Sequence, residues 1–174
     1  MCTSDSHARG PVNLLEQAQA LSDDLAAIRR DLHQHPELSF QEVRTAGIAA
    51  REMESLGFSV RTGVGRTGVV AELDNGEGPL IALRADMDAL PITESNTHDF
   101  VSKNEGVMHA CGHDGHVAGL IGAARILAKE RDSGQLPPGT IRFLFQPSEE
   151  ATDDEGKSGA MRMVEEGAMK GVDA

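Results

Sequence analysis

The sequence has few aromatic, few cysteine and few basic residues. Its 174 residues include five Phe but no Trp or Tyr, and 16 Lys and Arg are outnumbered by 28 Asp and Glu, which gives a formal net charge of −12. Nucleic-acid binding needs clustered basic residues and, for single strands, aromatic side chains on which bases stack. Anionic membrane surfaces also attract basic segments. The composition therefore disfavours both nucleic acid and membranes as partners.

Long hydrophobic segments are also lacking. The first ten residues, MCTSDSHARG, are polar and do not have the apolar core of a secretory signal, and the longest apolar stretch, Val117 to Ala128, contains Arg125. We expect a cytoplasmic protein with a disordered N-terminal tail over residues 1–10. The two cysteines, Cys2 and Cys111, cannot form a disulfide framework, so Cys111 is expected to be a free thiol.

Helix and strand patterns alternate along the chain. Apolar residues spaced by threes and fours predict a first helix over 11–33. The segment SFQE, residues 39–42, matches a capping box at the start of a second helix over 40–56, which Gly57 closes. Further helices are predicted over 115–129 and 156–166.

The strand predictions rest on short runs that contain Val and Ile between turn residues. These runs predict strands over 58–64, 67–73, 79–85 and 140–145, with a surface loop over 91–106. The third run, PLIALRA, is apolar at nearly every position, which is typical of a strand covered on both faces. The sequence thus predicts a layered α/β fold with a mostly buried central sheet, and ligands are expected at the ends of its strands.

The first candidate site residues directly follow a predicted strand. Asp86 and Asp88 come after PLIALRA, where they would also suit an ordinary turn. Glu149 and Glu150 come after the strand TIRFLF. Adjacent side chains of an extended backbone point in opposite directions, so one carboxylate can bind a metal ion while the other faces a reacting water. Alone, this pair is better explained as an acidic helix start, but together with the Cys and His cluster described next the catalytic interpretation is favoured.

The second candidate is the segment HACGHDGH, residues 109–116, which holds three of the seven histidines. A thiolate and an imidazole two residues apart on a loop can converge on one ion, so Cys111 and His113 are candidate metal ligands. Asp114 is placed to cap the following helix. His116 lies in the first turn of that helix, where it either orients a ligand or has no role at the site. The cluster favours a metal site over separate structural histidines.

Other chemistries are poorly supported. The segment GVGRTG, residues 63–68, has the glycine spacing of a dinucleotide site but joins two strands. Neither a phosphate-binding loop nor a Gly-x-Ser-x-Gly nucleophile motif is present. Another interpretation, a thiol protein centred on Cys111 with His113 as partner, would require a depressed thiol pKa.

Four motifs together resemble a known family. The segments DLHQHPELSFQE, LRADMDALPI, MHACGHDGH and FLFQPSEE are similar, in order and spacing, to those of the metal-dependent amidohydrolases that include N-acyl-amino-acid hydrolases, hippurate hydrolases and auxin-conjugate hydrolases. These are relatives of the zinc carboxypeptidase-like aminoacylases. The resemblance runs from about residue 25 to the last residue. It implies a layered α/β/α, zinc-peptidase-like catalytic domain, of which residues 11–174 would be the N-terminal portion.

The resemblance also implies roles for individual residues. The metal ligands would be Cys111, His113 and Glu150. Glu149 would be the general base. Asp88 would be a carboxylate that supports the ligands, and Asp86 and His116 are candidates for the same role from their positions in the sequence. Asp86 stands where the wider superfamily has a ligand histidine, so whether it is itself a ligand stays open.

Cofactors and partners follow from the same resemblance. It implies two divalent metal ions, Zn²⁺ or Mn²⁺ with Co²⁺ and Ni²⁺ as alternatives. The substrate would be an N-acyl amino acid or a peptide-like small molecule, and full-length relatives would be homo-oligomers. Family members continue with a His-bearing segment, a lid and dimerisation domain, and the second half of the catalytic domain. An alternative expectation is therefore a catalytically inactive fragment that binds metal weakly at most.

Overall fold

The computed structural model describes residues 13–174. Over these residues the elements follow in the order α1 (Leu14–Ala20), α2 (Ser22–Gln34), α3 (Val43–Ser55), β1 (Ser59–Val64), β2 (Gly68–Asp74), β3 (Leu80–Asp86), α4 (His113–Asp132), β4 (Thr140–Gln146) and α5 (Gly159–Glu165). The tail predicted for residues 1–10, including Cys2, lies outside the described residues. None of the described helices is long and apolar enough to cross a membrane.

The four strands form one mixed sheet in the order β1-β2-β4-β3. The β1–β2 and β2–β4 pairs are antiparallel, whereas β3 and β4 are parallel, with Asp86 opposite Gln146. Because parallel strands end at the same edge of a sheet, the segments that follow β3 and β4 leave the sheet side by side. This pairing positions the candidate site.

Helices cover both faces of the sheet. On one face, Val69, Phe143 and Phe145 belong to a core that also includes buried residues of α3 and α4. On the other face, Leu144 packs with Met163 of α5. Successive strand residues point to opposite faces, so the alternation within β4 separates the two layers. The layered α/β/α class predicted from the sequence is confirmed, and β4 is buried as predicted.

The helix starts differ from the sequence predictions. The predicted first helix is divided at Leu21, which ends α1 and begins α2, and α1 has no buried residue. The predicted capping box is wrong, because Phe40 has a φ of 60° and α3 begins only at Val43. Ser39 Oγ instead donates to Oδ2 of Asp88 at 2.7 Å. The Ser39 hydroxyl thus binds a carboxylate that is distant in sequence and does not cap a helix.

The expectation that both faces of the third strand are covered is also wrong. The first five residues of β3 are half-buried or exposed, and Ile81 is 41% exposed. The reason is its place at the edge of the described sheet, beside β4 alone. On the side away from β4, the backbone of β3 hydrogen-bonds to the last two residues of the chain. Asp173 N donates to Leu80 O, and Ala82 N donates to Ala174 O.

Candidate metal centre

Three segments meet at the carboxyl ends of β3 and β4. Asp86 ends β3 and Asp88 follows it, Cys111 lies just before α4 and His113 begins it, and residues 148–150 follow β4. The sequence predicts candidate residues in all three segments. The structure brings them together, and contacts between their side chains define the site.

His113 is held in one orientation by Asp88. Its buried ring places Nδ1 2.8 Å from the backbone oxygen of Asp88 and 3.3 Å from its carboxylate Oδ1. Nδ1 therefore carries a proton and donates a hydrogen bond to Asp88, so that in the neutral ring the lone pair lies on Nε2. Nε2 lies 3.9 Å from Oε1 of Glu150. This is the arrangement in which a histidine ligates a metal ion while a second group fixes its ring.

Cys111, His113 and Glu150 offer ligand atoms that all lie within 4.8 Å of one another. The Cys111 thiol is free and exposed. Its hydrogen bond to Glu150, its partial burial and the negative charges nearby raise the pKa of Cys111 above its usual value. This shift opposes the interpretation of a reactive thiol protein, which needs a depressed pKa.

Asp88 connects the three segments. Its buried carboxylate accepts hydrogen bonds at Oδ2 from Ser39 Oγ at 2.7 Å and from the backbone amide of Glu150 at 3.0 Å. Burial alone would raise the pKa of Asp88, but hydrogen bonds from His113, from the amides of Glu150 and Glu149 and from Ser39 lower it to about 2. Asp88 is thus an anion that orients His113 and the segment after β4.

Asp86 and His116 lie beside this group. Oδ2 of Asp86 is 3.3 Å from Arg84 and 3.6 Å from Nδ1 of His116, whose side chain is half exposed. The other oxygen of Asp86 is buried and has no hydrogen-bond partner among residues 13–174. Asp86, His113 and His116 form a second group of potential ligands within 4.8 Å. The two groups share His113, so Asp86 and His116 adjoin the Cys111 group directly.

Glu149 stands next to Glu150 but faces solvent. The chain turns sharply at Ser148, whose φ is 44° and whose backbone amide donates to Oε1 of Glu42 at 2.8 Å. The amide of Glu149 donates to Asp88. Within the described part of the chain, the Glu149 carboxylate has no hydrogen bond or salt bridge. It is therefore open to a water or a substrate.

Glu42 holds the turn after β4, a role that its sequence context does not reveal. The side chain of Glu42 is fully buried and accepts hydrogen bonds from the amides of Phe40 and Ser148 and from Thr67 Oγ1. Burial raises the pKa of Glu42 above its usual value, although these hydrogen bonds oppose the rise. The SFQE motif contained both Ser39 and Glu42, but its local capping interpretation concealed their contacts with the site.

The expected capping role of Asp114 is wrong as well. Gly112 occupies the N-cap position of α4 with a φ of 86°, and Asp114 lies inside the helix. Its buried carboxylate accepts hydrogen bonds at Oδ2 from Arg29 Nε at 2.7 Å and from His33 Nδ1 at 2.8 Å. The Asp114 carboxylate is thus bound by side chains of α2 and not by the backbone amides of α4.

Thiol, imidazole and carboxylate donors that meet at the ends of parallel strands, next to an open glutamate, are typical of metal-dependent hydrolases. The family comparison agrees with this class. Residues 82–174, more than half of the chain, match the model of Peptidase family M20/M25/M40, and the chain belongs to this family.

Several relatives carry the names of amide hydrolases. The chain is 47% identical over 163 residues to IAA-amino acid hydrolase ILR1-like 2 of Arabidopsis thaliana, covering 92% of this chain and 35% of the relative. It is 50% identical over 151 residues to N-acyl-L-amino acid amidohydrolase of Geobacillus stearothermophilus, covering 86% and 39%. It is 46% identical over 165 residues to N-acetyl-L-cysteine deacetylase of Bacillus subtilis, covering 94% and 37%.

Solved structures show the same fold. The YXEP protein of Bacillus subtilis, described as a dinuclear metal binding peptidase from the M20 family, superimposes with a TM-score of 0.79 at 45% identity, over 88% of this chain and 41% of that one. An aminobenzoyl-glutamate utilization protein from Klebsiella pneumoniae gives a TM-score of 0.70 at 28% identity, over 93% and 44%. The chain thus spans less than half the length of each of these relatives, as the resemblance predicted.

Proposed function

We propose that this protein is a metal-dependent amidohydrolase that cleaves the amide bond of N-acyl amino acids. The observation that carries the proposal is the meeting of Cys111, His113 and Glu150 within 4.8 Å, beside the open carboxylate of Glu149. The substrate class rests on the relatives, because three of them are named for hydrolysis of amides of amino acids.

The donor set fits a divalent ion of borderline softness. His113 offers Nε2 because its Nδ1–H donates a hydrogen bond to the backbone oxygen of Asp88, and Cys111 and Glu150 add a sulfur and an oxygen. Zn²⁺ or Mn²⁺ is proposed, with Co²⁺ and Ni²⁺ as alternatives. Two ions are proposed, in line with the dinuclear description of the Bacillus subtilis structure.

The proposed mechanism assigns proton transfer to Glu149. Bound divalent ions supply Lewis acidity, which polarises a carbonyl and lowers the pKa of water. The Glu149 carboxylate accepts the proton of the attacking water and then donates it to the departing amine nitrogen. The turn at Ser148, held by Glu42, presents Glu149 to solvent, while Asp88 keeps His113 in its ligating tautomer.

The decisive variant is Glu149→Gln, which keeps the shape of the side chain and removes its basicity. Metal content and hydrolysis of a panel of N-acyl amino acids are measured on the purified chain with added Zn²⁺ or Mn²⁺. We expect turnover to fall by about 10²-fold or more while metal content is unchanged. The matched control is Glu77→Gln, an exposed glutamate in the β2–β3 turn, which should leave both unchanged. Retained turnover in Glu149→Gln would contradict the assigned role.

A second candidate is that the 174-residue chain is inactive alone and binds metal weakly at most. Its support is the coverage of only 35% to 39% of the three named relatives. Turnover by the wild-type chain in the same assay would exclude it. Absence of both metal and turnover would favour it.

The remaining assignments are proposals of the same kind. We propose that residues 11–174 are the N-terminal portion of a metallohydrolase catalytic domain, whose partner is a small-molecule substrate. Homo-oligomers of the whole protein, a cytoplasmic location and the absence of nucleic-acid or membrane partners stay predictions from the sequence.

A further inference from the structure

A second group of potential ligands lies away from the candidate centre. His33 of α2 and two residues of the irregular segment 91–106, Glu94 and His98, bring ligand atoms within 4.8 Å of one another. Nε2 of His33 is 3.1 Å from Oε1 of Glu94, and Nε2 of His98 is 3.3 Å from the same oxygen. None of these residues has a role in the proposed hydrolysis.

Each ring nitrogen of His33 lies next to a carboxylate oxygen. Its Nδ1 lies 2.8 Å from Asp114 Oδ2, and Arg29 holds the same carboxylate oxygen in place. When the ring is neutral, Nδ1 donates to Asp114 and the lone pair of Nε2 points at Glu94. Two acceptors 3.1 Å apart repel each other unless a cation lies between them, either as a proton on the ring or as a metal ion.

Distances within the group suit a metal ion. In a tetrahedral site with bonds of about 2.0–2.1 Å, neighbouring ligand atoms are separated by about 3.3 Å. The separations from Glu94 to His33 and to His98 are 3.1 and 3.3 Å. Histidine ligands commonly donate their other ring proton to a carboxylate, as His33 does to Asp114.

The carboxylate is fixed and the site has an entrance. Glu94 accepts hydrogen bonds from the amide of Ser102 at 2.6 Å and from Asn96 Nδ2 at 2.9 Å, which hold both of its oxygens. The side chains of His33 and Glu94 are 4% and 3% exposed, whereas that of His98 is 31% exposed. An ion can enter past His98 and keep a water as its fourth ligand.

We propose that His33, Glu94 and His98 form a separate site for a divalent transition-metal ion, with Zn²⁺ as the best fit. The ion joins the irregular segment 91–106 to α2. Through Asp114, the same site also contacts the first turn of α4, directly after the ligand His113. The ion thus connects three elements beside the proposed catalytic centre, namely α2, the segment 91–106 and, through Asp114, the start of α4.

The test is a count of bound Zn²⁺ by elemental analysis after gel filtration. The full chain is compared with His98→Leu, in the wild-type background and in a Cys111→Ser/Glu150→Gln background that removes two exposed donors of the other site. We expect His98→Leu to remove one equivalent of Zn²⁺ in both backgrounds. The matched control is His35→Leu, whose ring contacts Asp31 and lies outside the group, and it should remove none.

A second readout separates loss of binding from loss of structure. Zn²⁺ should raise the melting temperature of the Cys111→Ser/Glu150→Gln protein but not after His98→Leu is added, while the metal-free melting temperatures agree. Glu94→Gln, which keeps the side-chain shape, should weaken Zn²⁺ binding by about tenfold or more. Unchanged Zn²⁺ stoichiometry in both His98→Leu and Glu94→Gln overturns the proposal. Because hydrolysis is not the readout, this outcome is distinct from failure of the proposed function.

Discussion

The backbone amide of Glu150 donates a hydrogen bond to Oδ2 of Asp88 at 3.0 Å. This bond links the segment that follows β4 to the segment that follows β3. The other oxygen of the same carboxylate faces Nδ1 of His113 at 3.3 Å. One buried side chain therefore sets the relative positions of two proposed metal ligands that come from different elements.

Asp88→Asn should weaken metal binding at the candidate centre. The amide keeps the size of the side chain but loses the charge that orients His113 and the Glu150 amide. We expect Zn²⁺ affinity to fall by about 10- to 100-fold, as is usual when a group that orients a ligand is lost. Competition with a chromophoric chelator measures the change. The control Asp23→Asn, exposed on α2, should have no effect, and equal affinities for the two variants would refute the role of Asp88.

Stability of the metal-free protein should depend on pH through His113. The hydrogen bond to Asp88 raises the pKa of His113 to about 8, although burial opposes the rise. The contribution of this pair is complete below the unfolded pKa of about 6.5 and is lost as pH rises through about 8. Urea unfolding in the presence of a chelator should show this loss in the wild type. The slope between pH 6.5 and 8 should be smaller in His113→Gln, and equal slopes would count against it.

Gly159→Ala should disturb the loop that carries both glutamates. A Cβ at Gly159 would lie 1.7 Å from the backbone oxygen of Pro147, which directly precedes Ser148. Since backbone must move, we expect the free energy of unfolding to fall by about 3 kcal/mol or more, with weaker metal binding. Gly119→Ala is the control, because this exposed position in α4 has no heavy atom within 4 Å of the new Cβ. Gly119→Ala should raise the free energy of unfolding by about 0.5–1 kcal/mol, measured by urea titration.

The Cys111 thiol should react slowly despite its exposure. Because Glu150 accepts its hydrogen bond and raises its pKa, little thiolate exists at neutral pH. In a Cys2→Ser background, the rate of reaction with a disulfide reagent should lie below that of free cysteine and increase in Glu150→Gln. Added Zn²⁺ should protect the thiol. A fast reaction of Cys111 whose rate does not change in Glu150→Gln would support the thiol-protein interpretation.

The order of helices and strands and the three segments of the site could be predicted from sequence, because periodicity and residue type are local signals. The contacts that assemble the site could not. Ser39 matched a helix cap and Asp114 another, yet both are bonded to residues of distant elements. A local cap and a buried tertiary hydrogen bond use the same side-chain atoms, and only the three-dimensional structure shows which one prevails. The exposure of β3 likewise depends on its edge position, which its apolar sequence does not reveal.

The bond between the Ser148 amide and Glu42 joins residues 106 positions apart in the chain, and the bond between Glu150 and Asp88 spans 62 positions. Contacts of such separation form only after long loops have closed, and loop closure is costly in entropy before any contact is gained. The proposed centre therefore forms late in folding. An ion that recognises only the finished arrangement would slow the unfolding of the chain and leave its folding rate nearly unchanged.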